Sequence, residues 1–374
     1  MNIIQFELKN VLKNKVNFIV MAILFIIILL PSFINRAEPF PKLAQFQMAL
    51  ENNQNAINNL KDKPAAATTV TDLQESSEYL ESLIAALQVE NHAEALEYEY
   101  KYELKNLEDM EAGKLVGQPI IEQEKVVAEL EFLYVNNKSK VNENLLHALP
   151  LANFLKVILS GVVSSMLFLI PLSLLISNIV SYEKRKDKTN LINLFPNSLT
   201  NTAVKRYVVY LGFTIFSFLL PLIIASIIVA FRNGLGDFSY PVAYISQNSF
   251  INIMPISIFI TKNIVMLFLW AILLTSISFL ISLLTKNTLL NSVILLGLIF
   301  LSQYGLINTS ALESVLGYLP TSYVDFQNVI LGGSGYLPLA SNAITFENGM
   351  LTILCFSFIV LSLSYLRLTL KKRF

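Results

Sequence analysis

The chain has 374 residues, 54% of them hydrophobic and only 14% charged, with a mean hydropathy of +0.57. Soluble domains carry roughly 25% charged residues, so the composition argues against a cytosolic enzyme. The 27 basic and 27 acidic residues cancel to a formal charge of zero, and the one cysteine, Cys355, excludes an internal disulfide framework or a cysteine-based zinc site.

Residues 1–16, MNIIQFELKNVLKNKV, place Ile4, Leu8, Val11 and Leu12 on one helical face. Glu7, Lys9, Asn10, Lys13 and Asn14 surround the other, the pattern of a short helix lying in a cytoplasmic membrane interface. Six apolar runs follow, over 17–35, 150–181, 207–231, 258–285, 288–307 and 349–368. Crossing a ~30 Å hydrocarbon core takes about 20 helical residues, so the expected fold is an all-α, polytopic membrane protein with six transmembrane helices. The first run is followed by NRAEPF, which lacks a small-residue cleavage site, and reads as an uncleaved anchor. Lys286-Asn287 is the polar break expected to form a tight hairpin between the fourth and fifth runs.

Lys and Arg mark the side of each loop. They concentrate in the first 16 residues, in 182–206 and in the tail 369–374, whereas the loops 233–257 and 308–348 contain none. Both termini are therefore expected in the cytoplasm of a bacterial plasma membrane. Residues 36–149 are then extracytoplasmic, and they hold 20 acidic against 10 basic side chains; the remainder holds 7 against 17. The zero net charge is thus −10 on one side and +10 elsewhere.

The 36–149 segment reads as a helical domain. Leu73, Leu80, Leu83, Ile84 and Leu87 form one stripe, and Leu96, Tyr100, Leu104 and Leu107 a second. Continuing the first stripe would bury Glu90, Asn91 and Glu94, so a bend or register change is expected there. Gly113 and Gly117 interrupt the pattern, and Pro119 can open a third helix bearing Val126, Val127, Leu130, Leu133 and Tyr134. A sheet is not expected in this segment. His92 and His147 lack partners at ligand spacing and read as surface residues.

Between the second and third spans, SYEKRKDKTNLINLFPNSLTNTAVKRYVVY carries clustered charge, an apolar centre and a proline. Leu191, Leu194 and Phe195 share a face of a short helix that needs lipid or a protein groove to cover it. Ser198, Thr200, Asn201 or Thr202 can cap the helix that follows. This segment resembles the permease subunits of ABC-2 type transporters. Glu183, with Lys184 and Arg185, matches the family's acid-led charged stretch. Thr189 matches its threonine, Leu191 and Leu194 its leucine-rich turn, Pro196 its proline, and Lys205 or Arg206 its later basic residue. Lys188 stands where the family usually has glycine, and the Thr189–Pro196 spacing is about one residue short. The resemblance extends to the interfacial N-terminal helix, the six spans and the large insertion after the first. It also covers LESVLGYLPTSYVDFQNVILGGSGYLP, which looks like the family's short re-entrant helices, with Pro320, Tyr323 and Phe326 on them and Gly332, Gly333 and Gly335 making the return.

The resemblance implies export driven by a separate cytosolic ABC ATPase docked on the 183–196 coupling helix. ATP and Mg would be used by that partner, with no cofactor bound by this chain. It also implies a second permease copy or a related permease. No G-x-x-x-x-G-K-[ST] occurs, in keeping with a transport subunit that is not itself an enzyme. The cargo favoured by the aromatic, almost uncharged spans and the acidic domain is an amphipathic or antimicrobial peptide; membrane lipid surrounds the spans, and no nucleic-acid partner is expected. Other readings are a non-transporting sensor or scaffold, or export of lipid-linked glycan or sodium. Lys156 and Lys262 are the nearest candidates for ion chemistry, and both are expected to snorkel to the outer interface.

Overall fold

The computed structural model describes residues 3–33, 42–63, 66–162, 165–185, 199–246, 250–285, 287–301, 313–335, 339 and 341–371. The chain is predominantly helical, and four helices are long and apolar enough to cross a membrane: Lys15–Phe33, Thr200–Asn233, Ile256–Leu284 and Phe346–Leu370. These mark it as a membrane protein. In hydrocarbon a helix satisfies its own backbone, which is why runs rich in Ile, Val and Phe still form helices here.

In chain order, α1 (Ile3–Lys13) leads through Asn14 into α2 (Lys15–Leu29), which ends in a 3₁₀ turn, Leu30–Phe33. Asn14 caps α2 by accepting from the Val16 N–H at 3.3 Å. The helices of the polar domain are α3 (Lys42–Leu60), α4 (Ala67–Gln88), α5 (His92–Glu111) and α6 (Ile120–Val135). Then come α7 (Leu151–Val157), a π-helical turn Ile158–Val162, α8 (Ser165–Arg185) and α9 (Leu199–Asn233). A two-stranded antiparallel hairpin, β1 (Pro241–Ile245) with β2 (Ile251–Pro255), pairs Pro241 with Pro255 and Ile245 with Ile251. It runs into α10 (Ile256–Leu284), followed by α11 (Thr288–Phe300), the short α12 (Glu313–Leu316) and α13 (Phe326–Ile330), and α14 (Phe346–Lys371).

The expected second run is two pieces, Leu151–Ser160 and Ser165–Ser181, that meet at 81°. The expected fifth run is described only as α11, whose 13 residues rise about 20 Å; its continuation to 307 lies outside the described residues. Asn287, half of the expected polar break, opens α11 by accepting from Leu289 N–H and Leu290 N–H; Lys286 lies outside the described residues.

The polar domain is four helices, each packed on the next in sequence. The break expected near Glu90 is there: α4 stops at Gln88, Glu90 takes φ of +57°, and Asn91 caps α5. The Asn91 Oδ1 accepts from the Glu94 N–H at 3.4 Å while its amide donates to the Glu94 carboxylate at 2.8 Å. Leu80, Leu83 and Ile84 are buried as expected, and so are Leu96, Val127, Leu130 and Leu133. Pro119 sits at the α6 N-cap, as its position suggested, and Gly113 takes φ of +68° after α5. Lys105 joins α5 to α4 through Glu75 at 3.0 Å and Asp72 at 3.4 Å. Hydrogen bonding to Glu75 holds its pKa above the ordinary lysine value.

Three features go beyond what the sequence pattern shows. Residues 42–60 form a helix that the stripes do not signal; it buries no residue completely, so its apolar pattern is faint. The 232–257 loop contains the β-hairpin. On α1, Ile4, Leu8 and Leu12 share a face that is 40–45% exposed, the side an interfacial helix turns to lipid, while Ile3, Glu7, Asn10 and Val11 are buried against the protein.

Candidate functional site

The residues expected to re-enter, Pro320, Tyr323 and Phe326, belong to a wedge of short elements over 313–335. Pro320 opens a 3₁₀ turn, where its fixed φ and missing N–H cost nothing. Tyr323 and Phe326 are completely buried. The Tyr323 hydroxyl donates to the Gly317 carbonyl at 2.7 Å, closing the wedge on itself, and its ring lies against Gly349 of α14. A Cβ at Gly349 would come 2.6 Å from that ring, so the contact requires glycine. The Trp270 Nε1–H donates to the Tyr323 carbonyl at 3.0 Å. Trp270 is 14 residues past the start of α10, or about 21 Å along it. The wedge therefore reaches the middle of a helix long enough to cross a membrane.

At that depth it meets the broken helix. The first N–H groups of α8 have no intrahelical partner, a serious cost away from water. The Gln327 Oε1, on α13, accepts from the Ser165 N–H at 3.1 Å. Ser165 also pairs through its hydroxyl with Asp325 at 3.4 Å, and Asp325 caps α13. The wedge thus takes one backbone and one side-chain donor from the first residue of α8.

The return of the wedge is clamped from above. Lys125 Nζ donates to the Gly333 carbonyl at 3.0 Å, and the Gly335 N–H donates to Glu122 at 2.7 Å, both from α6. Gly332, at φ +73°, lies so close to the Ile245 carbonyl that any Cβ would collide with it. The expected glycine return is therefore a backbone-to-backbone junction with β1.

Lys156 of α7 reaches toward the polar domain but is buried there rather than exposed to solvent. Its side chain is 7% exposed, and its Nζ is 2.8 Å from Glu143 and 3.3 Å from Glu129. Glu129, on α6, also accepts from the Ala243 N–H of β1 at 2.9 Å. The Tyr240 ring covers the ammonium at 5.5 Å, and burial pushes the Tyr240 hydroxyl up to about 12. Three elements meet on one cation: the polar domain, the hairpin and the broken helix.

Lys262, on the second turn of α10, lies 5.0 Å from the Phe346 ring centre and 5.9 Å from that of Tyr244. It lines a cleft of about 610 Å³ between the hairpin, the wedge return and the start of α14.

At the opposite end of the bundle, Glu7 is 1% exposed and its Oε1 pairs with Arg206 Nε at 2.8 Å. The Tyr210 hydroxyl donates to its other oxygen at 3.3 Å. Arg206, read from sequence as a positional charge, holds α1 against α9. Asn17 and Asn178 add a second polar tie, amide to carbonyl at 2.9 Å, between α2 and α8.

Of the expected docking segment, Glu183, Lys184 and Arg185 lie on the last turn of α8, so the helix extends beyond 181. Thr189, Leu191, Leu194, Phe195 and Pro196 lie outside the described residues. Thr200, Asn201 and Thr202 are inside α9, described from Leu199, so none of these three is its cap; the fourth candidate, Ser198, lies outside the described residues. Among the described residues no group of three His, Cys, Asp or Glu side chains is placed to hold a metal ion. His92 begins α5 and is exposed; His147 is half-buried, its carbonyl accepting from Asn233 at 2.9 Å. Sequence reading missed Trp270, Asp325, Gln327 and the Lys156–Glu129–Glu143 cluster. A lysine inside an apolar run and the chain's one tryptophan were the available signals.

No protein-family model matches this chain, and no curated protein or solved structure is significantly similar to it.

Proposed function

We propose that this chain is the permease subunit of an ABC-2 type exporter, with six spans, both termini in the cytoplasm and residues 36–149 outside. The observation that supports it most is the wedge. A pair of short helices reaches the middle of α10 and supplies acceptors to a break in the neighbouring span. Such a junction lets a pathway be shaped by non-helical backbone without leaving polar groups bare in hydrocarbon. In this reading α8, with its break, continues directly into Glu183, Lys184 and Arg185, so a push on the 183–196 segment is carried toward the wedge.

The energy source is a separate cytosolic ABC ATPase that binds ATP and Mg, and a second permease completes the pathway. The cargo is an amphipathic peptide, drawn by the acidic domain when cationic, an attraction that salt screens. The test is co-purification from membranes. Wild-type protein is expected to retain the ATPase, and Leu194→Asp with Phe195→Asp is expected to release it while membrane insertion is unchanged. A purified complex without any nucleotide-binding subunit sinks the reading. Cells expressing the transporter are expected to survive a cationic antimicrobial peptide better than matched cells without it; equal killing curves remove that cargo.

A further inference from the structure

The cleft beside Lys262, walled in part by the wedge return, is separate from the Tyr323–Trp270 contact and from the Lys156 cluster. Lys262 is half-buried and its ammonium faces two rings, yet among the described residues it has no carboxylate partner. The half-buried lysines of the polar domain are paired: Lys105, Lys125 and Lys138 all hold acids. Aromatic faces stabilise an ammonium and fix its position while leaving its hydrogen-bonding capacity free. The first turn of α14, Phe346 and Glu347, borders the same space, adding the positive end of a 26-residue helix. Ser341 and Thr345 also line the wall, their hydroxyls accepting from the Ala343 and Asn348 N–H groups, and Ile121, Ile330 and Ile344 make it half apolar.

Glu347 also lines the cleft, so it presents one cation and one anion rather than a purely positive surface. That disfavours a multiply charged phosphate. It suits a group carrying a single negative charge with a positive charge near it and an apolar side chain between. The last residues of a cationic peptide have that make-up.

We propose that this cleft is the subsite for the C-terminal carboxylate of a peptide cargo, with Lys262 pairing the carboxylate and Glu347 a basic group upstream. The proposal rests on the peptide-exporter reading and sharpens it. The carboxylate enters beside the aromatic pair, the terminal apolar side chain lies on the isoleucine wall, and the rest of the peptide leaves toward the acidic helical domain.

The experiment uses the full chain in phosphatidylcholine nanodiscs and one fluorescent 20-residue lysine–leucine amphipathic peptide. The peptide is made twice, with a free C-terminal carboxylate and with a C-terminal amide. Binding is taken as the saturable part in excess of empty discs. The wild type is expected to bind the acid about five- to tenfold more tightly than the amide, the size of a partly solvated charge-assisted contact. Lys262→Gln is expected to bring the two forms within about twofold by weakening the acid alone; Lys262→Arg is expected to keep the preference. Glu347→Gln is expected to weaken both forms equally. Equal binding of acid and amide by the wild type overturns the subsite and leaves the exporter reading standing. So does a preference that survives Lys262→Gln, and either result assigns Lys262 to the lipid interface. Failure of both peptides to bind overturns the peptide cargo itself, and the subsite with it.

Discussion

Replacing Lys156 with methionine removes the ammonium that α6, the hairpin and α7 share. The side chain is 7% exposed, with acids at 2.8 and 3.3 Å, so its loss leaves Glu129 and Glu143 facing one another. Breaking a fully buried ion pair from one side costs about 3–5 kcal/mol. Here the carboxylates are 29% and 37% exposed, and water recovers part of that, leaving about 2–3 kcal/mol. Glu129 cannot simply swing outward, because doing so abandons the Ala243 N–H at 2.9 Å, which costs about 1 kcal/mol more. The assay is amide hydrogen exchange across Val242–Tyr244 in the full protein, which reports local opening free energies. Lys156→Met should speed exchange there roughly 30-fold, the equivalent of about 2 kcal/mol. Because the groups act on one another, Lys156→Met combined with Glu129→Gln should cost at least 0.5 kcal/mol less than the sum of the single changes. Strict additivity, or unchanged exchange at Ala243 in the single variant, refutes the cluster as the junction between these elements.

Trp270→Phe keeps the packing but removes the donor to the Tyr323 carbonyl, so exchange over Gly317–Val324 should rise by the equivalent of about 1–3 kcal/mol. Arg206→Met strands a buried Glu7; α1 should become cleavable by added protease, and Glu7→Gln on top of it should restore part of the protection. Asp237 is held at about 2, well below its ordinary 3.8, chiefly by its hydrogen bond from Lys138. That contact therefore contributes fully above about pH 4 and is lost as pH falls through about 2. The thermal-stability gap between wild type and Asp237→Asn should be flat from pH 7 to about 4 and close below it. A gap that closes near pH 6 would point to another group.

Hydropathy was a good guide wherever twenty apolar residues had to be helical, and it located α2, α9, α10 and α14. It also located the turn at Glu90, because two acids and an asparagine cannot continue a buried stripe. It was a poor guide where burial is polar. On α1 the apolar stripe Ile4, Leu8 and Leu12 turns away from the protein, as an interfacial helix would, but nothing in the pattern shows that the other face buries Glu7 against Arg206 and Tyr210. The partners of Lys156 were illegible for a similar reason: they lie 13 and 27 positions away on elements whose approach no local pattern encodes. The position of the wedge was legible as a cluster of Pro, aromatic and Gly residues. Its depth was not, since that depends on where Trp270 falls along α10 and on a helix break whose first described residue, Ser165, is met by Gln327 and Asp325.

The polar domain also constrains the order in which this molecule can be assembled. Helices α3 to α6 pack on their immediate neighbours in sequence, so their contacts can form as soon as Val135 has been made, with little loop-closure cost. The surface that α6 must bind is synthesised much later: Glu129 waits for Ala243, 114 positions on, and Lys125 and Glu122 wait for Gly333 and Gly335, 208 and 213 positions on. During that interval the docking face of α6 stands open beside other unfinished chains, the situation in which exposed apolar surface aggregates. Glu122, Lys125 and Glu129 are on that same face. The charges that later clamp the wedge and the hairpin keep the waiting surface compatible with water until its partners arrive.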